Sequence, residues 1–321
     1  MILIIDFGSQ YNQLIARRVR EHQVYCEIEP PGISVKNIKE LAPEGIILSG
    51  GPASIYAKGA PRTDRDIFNL GIPILGICYG MQFMMETLGG KVIGSQKREY
   101  GFAELNIKEQ NGIFAGVETK TPCWMSHGDS VGQLPEGFVA TASTGNTQVA
   151  AAEDASRRFY GLQFHPEVAH TKEGRKIIAN FLFDICRCEK SWSMKSFIEN
   201  TVDDIRAQVG KEKVILGLSG GVDSSVAAVL LHKSVGRQLI CVFVDNGVLR
   251  ANEVKRVVDM FKKYLQINLR VVRAGKEFLK KIKGVADPER KRKIIGRTFI
   301  EVFDREARKI KGVKLLAQGT L

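Results

Sequence analysis

The chain has 321 residues, of which 44% are hydrophobic, with six cysteines and a formal net charge of +12. This length and apolar content suffice for two domains, each with its own core. No apolar run reaches the length of a membrane span, the amino-terminal segment lacks the basic start of a signal peptide, and the cysteines show no zinc-ligand spacing. We therefore expect a reduced, cytoplasmic protein without a disulfide framework.

The charge is divided unevenly along the chain. Residues 1–190 contain 20 Lys and Arg against 21 Asp and Glu, whereas residues 191–321 contain 27 against 14. Two domains with different electrostatic tasks account for this division better than one uniformly basic protein. The basic half predicts a polyanionic ligand, either nucleotide phosphates or RNA.

The first half alternates apolar strands with helices. The pattern predicts a strand over Ile2–Ile5, a helix over Gln10–Glu21 and a strand over Gly45–Leu48 that ends in SGGP. A strand-rich stretch over residues 91–152 precedes RFYGLQFHPEV, and a helix over Gly174–Cys186 closes the half. This alternation predicts an open, mostly parallel α/β sheet with its functional residues at the carboxyl ends of the strands.

Cys78 lies at a sharp turn within PILGICYGMQFMM. Ile72–Ile77 reads as a buried strand and Met81–Leu88 as a helix, while Gly76 and Gly80 permit a tight backbone between them. This is the pattern of a nucleophile elbow, which places a side chain at a helix N-terminus, where the helix dipole stabilises a thiolate. The alternative is that the cysteine is a small hydrophobic residue of the core.

A nucleophilic cysteine needs a base, an orienting group and donors for the developing oxyanion. His165 follows an apolar strand end, and Glu167 comes two residues later, so the sequence predicts the catalytic set Cys78, His165 and Glu167. Gly51, after the strand of ILSGGPAS, and Tyr79 are predicted to supply the N–H groups of an oxyanion hole. A plain tight turn is the other interpretation of the two glycines in ILSGGPAS.

Six motifs of this half, covering residues 1–188, together resemble the class I glutamine amidotransferase domain of GMP synthetases: DFGSQYNQLIARRVRE, ILSGGPAS, GICYGMQ, KREYG, WMSHGD and LQFHPEV. The resemblance implies that glutamine is hydrolysed through a cysteinyl thioester and that ammonia is released. It also implies that His127, in WMSHGD, lies near the glutamine pocket, although a structural role in a loop is an equal alternative.

The second half begins after a polar segment, residues 189–196, which we interpret as a linker between domains over 1–188 and 197–321. A helix is predicted over Met194–Val209, followed by a strand over Val214–Leu218, a glycine-rich turn and another helix. Strand, glycine-rich turn and helix in this order are typical of a nucleotide-binding α/β domain.

The turn sequence LSGGVDSS is not a Walker A loop, because the Gly-Lys-Ser/Thr ending is absent. Its glycines allow main-chain N–H groups to approach a phosphate at a helix N-terminus, and its serines are hydroxyl donors. The Asp223 carboxylate would repel phosphate unless a cation lay between them, which indicates Mg²⁺. A flexible turn with a serine cap would explain SGG alone, but it explains the whole segment poorly.

This segment resembles the pyrophosphate-binding loop (PP-loop) of ATP pyrophosphatases, which cleave ATP between the α and β phosphates. The resemblance implies that Asp245 faces the catalytic space. It implies an ATP site formed by Ser219, Gly220, Gly221, Val222, Asp223, Ser224 and Ser225, with Val244 and Phe299 against the adenine.

The order of the two halves resembles the bacterial type of the glutamine-hydrolysing GMP synthetase family. The resemblance implies that ammonia from glutamine aminates ATP-adenylated XMP, giving GMP, AMP and pyrophosphate, in a homodimer without membrane or nucleic-acid partners. That family continues through more of the ATP domain and a dimerisation domain. For this chain we therefore expect weak glutaminase activity, poor or absent ATP binding and no GMP formation.

Two other functions fit parts of the sequence. The glutaminase half is also compatible with a different amidation on the PP-loop domain. The basic second half is compatible with an RNA-modifying PP-loop protein, whose RNA affinity would fall steeply with salt. Such modifiers usually carry catalytic cysteines or zinc knuckles, whereas the second half contains a single cysteine, Cys241, within a strand.

Overall fold

A computed structural model describes residues 1–319 of the chain, apart from the side chains of residues 95–98. Thr320 and Leu321 therefore lie outside the described residues. The side chains of Lys97 and Arg98, in the KREYG motif, also lie outside the described part. The residues form two compact units, Met1–Ser193 and a second unit that starts at Met194. In the described part of the chain, no helix is both long and apolar enough to cross a membrane.

The first unit contains nine strands and four α-helices within its described residues. The strands form one sheet in the order β2-β1-β3-β4-β9-β8-β7-β5-β6. In chain order the elements are β1 (Ile2–Ile5), α1 (Asn12–Glu21), β2 (Cys26–Glu29), α2 (Val35–Leu41), β3 (Gly45–Leu48), β4 (Ile74–Ile77), α3 (Tyr79–Thr87), β5 (Lys91–Ile107), β6 (Lys120–Gln133), β7 (Val139–Ser143), β8 (Ala151–Asp154), β9 (Phe159–Leu162) and α4 (Gly174–Asn180).

The sheet has a parallel half and an antiparallel half. Strands β2, β1, β3, β4 and β9 pair in parallel, and the remaining strands pair antiparallel. Every residue of β1, β3, β4 and β9 is buried, because apolar side chains cover both faces of the parallel half. One core cluster includes Ile4 and Leu75, and a second cluster includes Leu3 and Ile74. The predicted α/β class is confirmed.

Two predicted strands, Ile2–Ile5 and Gly45–Leu48, are confirmed with the predicted bounds. The predicted closing helix is also present, but after Asn180 it continues as a π-helical turn over Phe181–Ile185. Neither β2 nor α2 was predicted from the sequence. Both are short, and β2 lies at the edge of the sheet, where three of its four residues are only partly buried.

The second unit has a parallel sheet in the order β12-β11-β10-β13. The predicted helix over Met194–Val209 is confirmed, and it begins inside the segment that we interpreted as a linker. The elements are α5 (Met194–Val209), β10 (Lys213–Leu218), α6 (Val222–Val235), β11 (Leu239–Asp245), α7 (Glu253–Val258), β12 (Leu269–Arg273), α8 (Gly275–Ile282), α9 (Pro288–Arg308) and β13 (Val313–Ala317).

Candidate active site

Cys78 joins β4 to α3 and has a φ of 51° and a ψ of −105°. A non-glycine residue in this backbone region is strained, and such strain is typical of functional positions. The turn is tight, since a Cβ on Gly76 would lie 2.7 Å from the main-chain nitrogen of Met81. The Cys78 N–H donates to the carbonyl of Leu162 at 2.7 Å, so the turn is also tied to the end of β9. The structure therefore contains the predicted strand–turn–helix arrangement.

His165 and Glu167 follow β9 and lie beside this turn. Nδ1 of His165 lies 2.8 Å from Oε1 of Glu167, and the Cys78 side chain lies close enough to raise the pKa of the imidazole. The exposed fractions of Cys78, His165 and Glu167 are only 5%, 4% and 0%. The three side chains that were singled out from the sequence thus lie together in a buried cluster, in which His165 and Glu167 are hydrogen-bonded.

Neighbouring groups fix both His165 and Glu167. The main-chain N–H of His165 donates to the carbonyl of Trp124 at 3.0 Å, and the Thr171 hydroxyl donates to the His165 carbonyl at 2.6 Å. Nε of Arg18 donates to the carbonyl of Glu167 at 2.8 Å. The imidazole is consequently anchored through its backbone as well as through its ring.

Burial of the His165 ring opposes its protonation. The hydrogen bonds to Cys78 and Glu167, together with the negative charges of these two groups, outweigh that effect and raise the pKa of His165 to about 10. The electrostatics therefore favour a charged imidazole between a sulfur and a carboxylate.

A cavity of about 350 Å³ opens beside the thiol. Gly51 and Tyr79, the predicted oxyanion-hole residues, line this cavity together with Cys78. The N–H of Tyr79 is in the first turn of α3, where main-chain donors have no partner within the helix. A Cβ on Gly51 would lie 2.8 Å from the carbonyl oxygen of Phe7, so the close approach of these two chain segments requires glycine.

Two glutamines at the site were not singled out from the sequence. Nε2 of Gln163 donates to the Cys78 sulfur at 3.7 Å, and Nε2 of Gln82, which lines the cavity, donates to the Asp129 carbonyl at 2.7 Å. The segment 126–129 of β6 is a further part of the wall, and it contains His127 of the motif WMSHGD. A glutamine inside the apolar strand end LQF was a usable signal for Gln163, whereas the contact of Gln82 with β6 depends on long-range packing.

In the second unit, the loop of residues 219–221 follows β10, and α6 begins behind it with Gly221 as its N-cap. Gly220 has a φ of +83°, a backbone conformation that favours glycine. The Ser219 and Ser224 hydroxyls lie 2.9 Å apart, and the Ser225 hydroxyl donates to the Gly221 carbonyl at 2.7 Å. These hydroxyls brace the loop from inside, and Ser224 is buried.

The other predicted ATP-site residues lie on neighbouring elements. Val222 and Asp223 are exposed in the first turn of α6. Val244 is buried near the end of β11, and Phe299 of α9 packs against the same apolar cluster. Oδ1 of Asp245 accepts a hydrogen bond from the N–H of Gly247 at 3.1 Å. The structure therefore brings Val244 and Phe299 into one cluster.

Comparison with known proteins gives two family matches. The family described as class-I glutamine amidotransferase matches residues 3–185, and the NAD synthase family matches residues 192–291. Among curated relatives, glutamine-hydrolyzing GMP synthases from Brachyspira hyodysenteriae and Heliobacterium modesticaldum are 55% and 56% identical over 320 residues. These alignments include 100% of this chain and 62% of each relative, so the chain spans less than two thirds of their length.

A solved structure from Thermoplasma acidophilum, described as a candidate GMP synthase component, is also similar to the chain. It is 31% identical with a TM-score of 0.52, and the match covers 58% of this chain and 93% of that protein. The amidotransferase family match extends over more than half of the residues and includes Cys78, His165 and Glu167. The chain belongs to the class-I glutamine amidotransferase family.

Proposed function

We propose that the first unit hydrolyses glutamine and that the second unit uses ATP to activate XMP for amination by the released ammonia. The observation that carries the glutaminase assignment is the buried cluster formed by the Cys78 thiol, the His165 imidazole and the Glu167 carboxylate. The relatives named glutamine-hydrolyzing GMP synthase support the overall reaction, since they align with both units.

In the proposed glutaminase reaction, the Cys78 sulfur attacks the side-chain amide carbon of glutamine. The N–H groups of Tyr79 and Gly51 stabilise the oxyanion that forms. Glu167 accepts the hydrogen bond from Nδ1 of His165, so Nε2 is the nitrogen that transfers a proton to the departing ammonia. Water, deprotonated at the same nitrogen, then attacks the thioester and releases glutamate.

We assign ATP binding to the loop of residues 219–225 in the second unit. Its N–H groups at the start of α6 favour phosphate, because the helix dipole adds positive potential there. The adenine would lie against Val244 and Phe299, whose shared apolar cluster offers a surface for a planar base. The similarity to the NAD synthase family over residues 192–291 includes the loop and Val244, and it supports assigning ATP binding to this loop.

The residues present fit Mg²⁺ only together with phosphate oxygens. Among the described residues, no group of three or more His, Cys, Asp or Glu side chains is arranged to hold a metal. Asp223 supplies one exposed carboxylate, and Mg²⁺ is usually held by one or two carboxylates and by substrate phosphates. When bound, the ion would neutralise phosphate charge.

We propose the cytoplasm as the location, as all six cysteines are buried free thiols.

The first test compares the chain with its Cys78→Ala variant. We expect ammonia release from glutamine to fall by about 1,000-fold or more, because no other group replaces the sulfur nucleophile. Cys123→Ala is the matched control, since Cys123 is a buried thiol of the same unit outside the cavity. Glutaminase activity that survived Cys78→Ala would contradict the assignment.

A second assay addresses the ATP reaction. Pyrophosphate release from ATP is measured with XMP and with IMP, which lacks the 2-oxo group that would be adenylated. The Heliobacterium relative provides the positive control. Pyrophosphate release that occurs with XMP but not with IMP would support GMP synthesis. If the chain hydrolysed glutamine but aminated an acceptor other than XMP, the proposed substrate of the second unit would be wrong.

A further inference from the structure

Four buried polar side chains form a cluster behind the wall of the glutamine cavity. Their exposed fractions are 8% for Glu99, 4% for His127, 7% for Thr144 and 4% for Thr147. Glu99 of β5 and His127 of β6 are directly paired across the two antiparallel strands. His127 lines the cavity, whereas the other three members lie behind it. A buried polar cluster of this kind is costly unless its members satisfy one another.

Glu99 is tied to the turn that follows β7. The Thr144 hydroxyl donates to Oε1 of Glu99 at 3.0 Å, and the Thr147 hydroxyl donates to Oε2 at 2.6 Å. The same two threonines close their own turn, because the Thr147 N–H donates to Oγ1 of Thr144 at 3.0 Å. The carboxylate is thus held from a turn that does not line the cavity.

His127 connects this carboxylate to the cavity wall. Its Nδ1 lies 3.0 Å from the carbonyl oxygen of Asp129, and a carbonyl can only accept, so Nδ1 carries a proton. Its Nε2 makes no hydrogen bond within the described residues and lies 3.6 Å from Oε2 of Glu99. The ring is therefore anchored by the Asp129 carbonyl, and its other nitrogen packs against the Glu99 carboxylate.

The wall that His127 supports is the main chain of residues 126–129. The Asp129 carbonyl also accepts a hydrogen bond from Nε2 of Gln82, and the Ser126 carbonyl oxygen lies 3.6 Å from the Cys78 sulfur. These contacts make the wall rigid on the side of the nucleophile. On the opposite side, its support runs through His127 to Glu99.

On the basis of the proposed glutaminase function, we infer that Glu99 is a positioning residue. Thr144 and Thr147 hold its carboxylate in place, and His127 then keeps the wall of residues 126–129 shaped for glutamine. Cys78 and His165 follow β4 and β9, and their main-chain N–H groups donate to the carbonyls of Leu162 and Trp124, which lie outside residues 126–129. Loosening the support therefore weakens glutamine binding while leaving the thiol and imidazole in place. Such a change raises KM and leaves kcat nearly constant.

The test uses two variants at one position. Thr147→Val removes the hydroxyl that donates to Glu99, and we expect it to raise the KM for glutamine about 3- to 10-fold, with kcat within about twofold. Thr147→Ser keeps the hydroxyl and should restore a near-normal KM. Thr141→Val is the matched control, because Thr141 is also buried and its Oγ1 has no hydrogen-bond partner within the described residues. Glu99→Gln should raise KM in the same way.

Binding is measured separately as the protection of Cys78 by glutamine against iodoacetamide. The positioning role would be supported if glutamine protected Cys78 less well in Thr147→Val while the alkylation rate without glutamine stayed unchanged. This readout does not require hydrolysis. If the unmodified chain bound glutamine without hydrolysing it, only the proposed glutaminase function would be overturned. An unchanged KM in both Thr147→Val and Glu99→Gln, or an equal rise in Thr141→Val, would overturn the inference about Glu99.

Discussion

The two units place a strand–turn–helix at their candidate sites but use it in opposite ways. The turn between β4 and α3 encloses Cys78 in a strained, buried position, whereas the turn between β10 and α6 exposes its glycines and Asp223. At the first turn the proposed reactive groups are side chains. At the second turn the proposed binding groups are main-chain N–H donors and a helix terminus.

This difference explains which residues each turn needs. Covalent chemistry requires a nucleophile, a base and an orienting carboxylate at fixed distances, so Cys78, His165 and Glu167 are packed against other strands. Phosphate binding requires open space for a ligand that brings its own charge. The three proposed catalytic side chains therefore lie within one unit, while the proposed phosphate-binding turn is exposed.

Glycine substitutions give the largest expected difference between the turns. A Cβ on Gly80 would lie 2.7 Å from Cβ of Leu48 and closer still to the Leu48 carbonyl, so Gly80→Ala forces main-chain atoms apart. We expect this variant to lose about 3 kcal/mol or more of stability. A Cβ on Gly221 would meet only the Ser219 hydroxyl oxygen, at 3.3 Å, so Gly221→Ala should cost less than about 1 kcal/mol.

Tryptophan fluorescence during urea unfolding measures the first of these effects without interference from the second unit. The chain has two tryptophans, Trp124 and Trp192, and both belong to the first unit. Circular dichroism follows the second unit in Gly221→Ala. If Gly221→Ala were as damaging as Gly80→Ala, the second turn would be as enclosed as the first, and the contrast would be wrong.

Glu167→Gln tests whether the enclosed site depends on charge. Glutamine keeps an oxygen for Nδ1 of His165 but removes the carboxylate charge, so the imidazole is oriented yet less stabilised when protonated. We expect kcat for glutamine hydrolysis to fall by about 100-fold, which is less than the loss expected without the histidine. A kcat within about twofold of that of the unmodified chain would contradict this role.

The same variant should change the dependence of stability on pH. The pKa of His165 is raised from 6.5 to about 10 in the folded chain, so the native state holds a proton that the unfolded state releases between these values. This stabilisation is complete below pH 6.5 and is lost as the pH rises through about 10. In Glu167→Gln the decline in urea stability between pH 7 and pH 10 should be smaller, and an identical decline would show that Glu167 does not hold the charge.

Sequence reasoning located the elbow because its signals are local. Gly76, Cys78 and Gly80 lie within five residues, and Glu167 follows His165 by two, so the two local patterns together indicate their chemistry. The strands around them were predictable for the same reason, since a run of three or four consecutive apolar residues marks a buried strand. The assignment of catalytic roles to these residues remains a prediction.

The rest of the cavity depends on contacts that no local pattern contains. Gln82 reaches the Asp129 carbonyl across 47 positions in the chain, and Thr147 reaches Glu99 across 48. Those contacts follow from the pairing register of β5 with β6 and from the position of the β7 turn, which the sequence alone does not fix. Short elements at the sheet edge were missed because few of their residues are buried.

The exposed turn is tested by the smallest effect, in Asp223→Asn. The change removes one negative charge and keeps the size of the side chain in the first turn of α6. We expect the ATP affinity of this chain to be weak, and with Mg²⁺ present the substitution should lower it about a further 10-fold, because the ion loses its protein carboxylate. With a chelator present, ATP affinity should stay the same or rise, since the charge that repels phosphate has gone.

Isothermal titration under both conditions measures the two affinities, and Asp204→Asn, an exposed charge change on α5, is the control. A fall of equal size with and without Mg²⁺ would assign Asp223 a structural role at the helix terminus and remove it from the metal site.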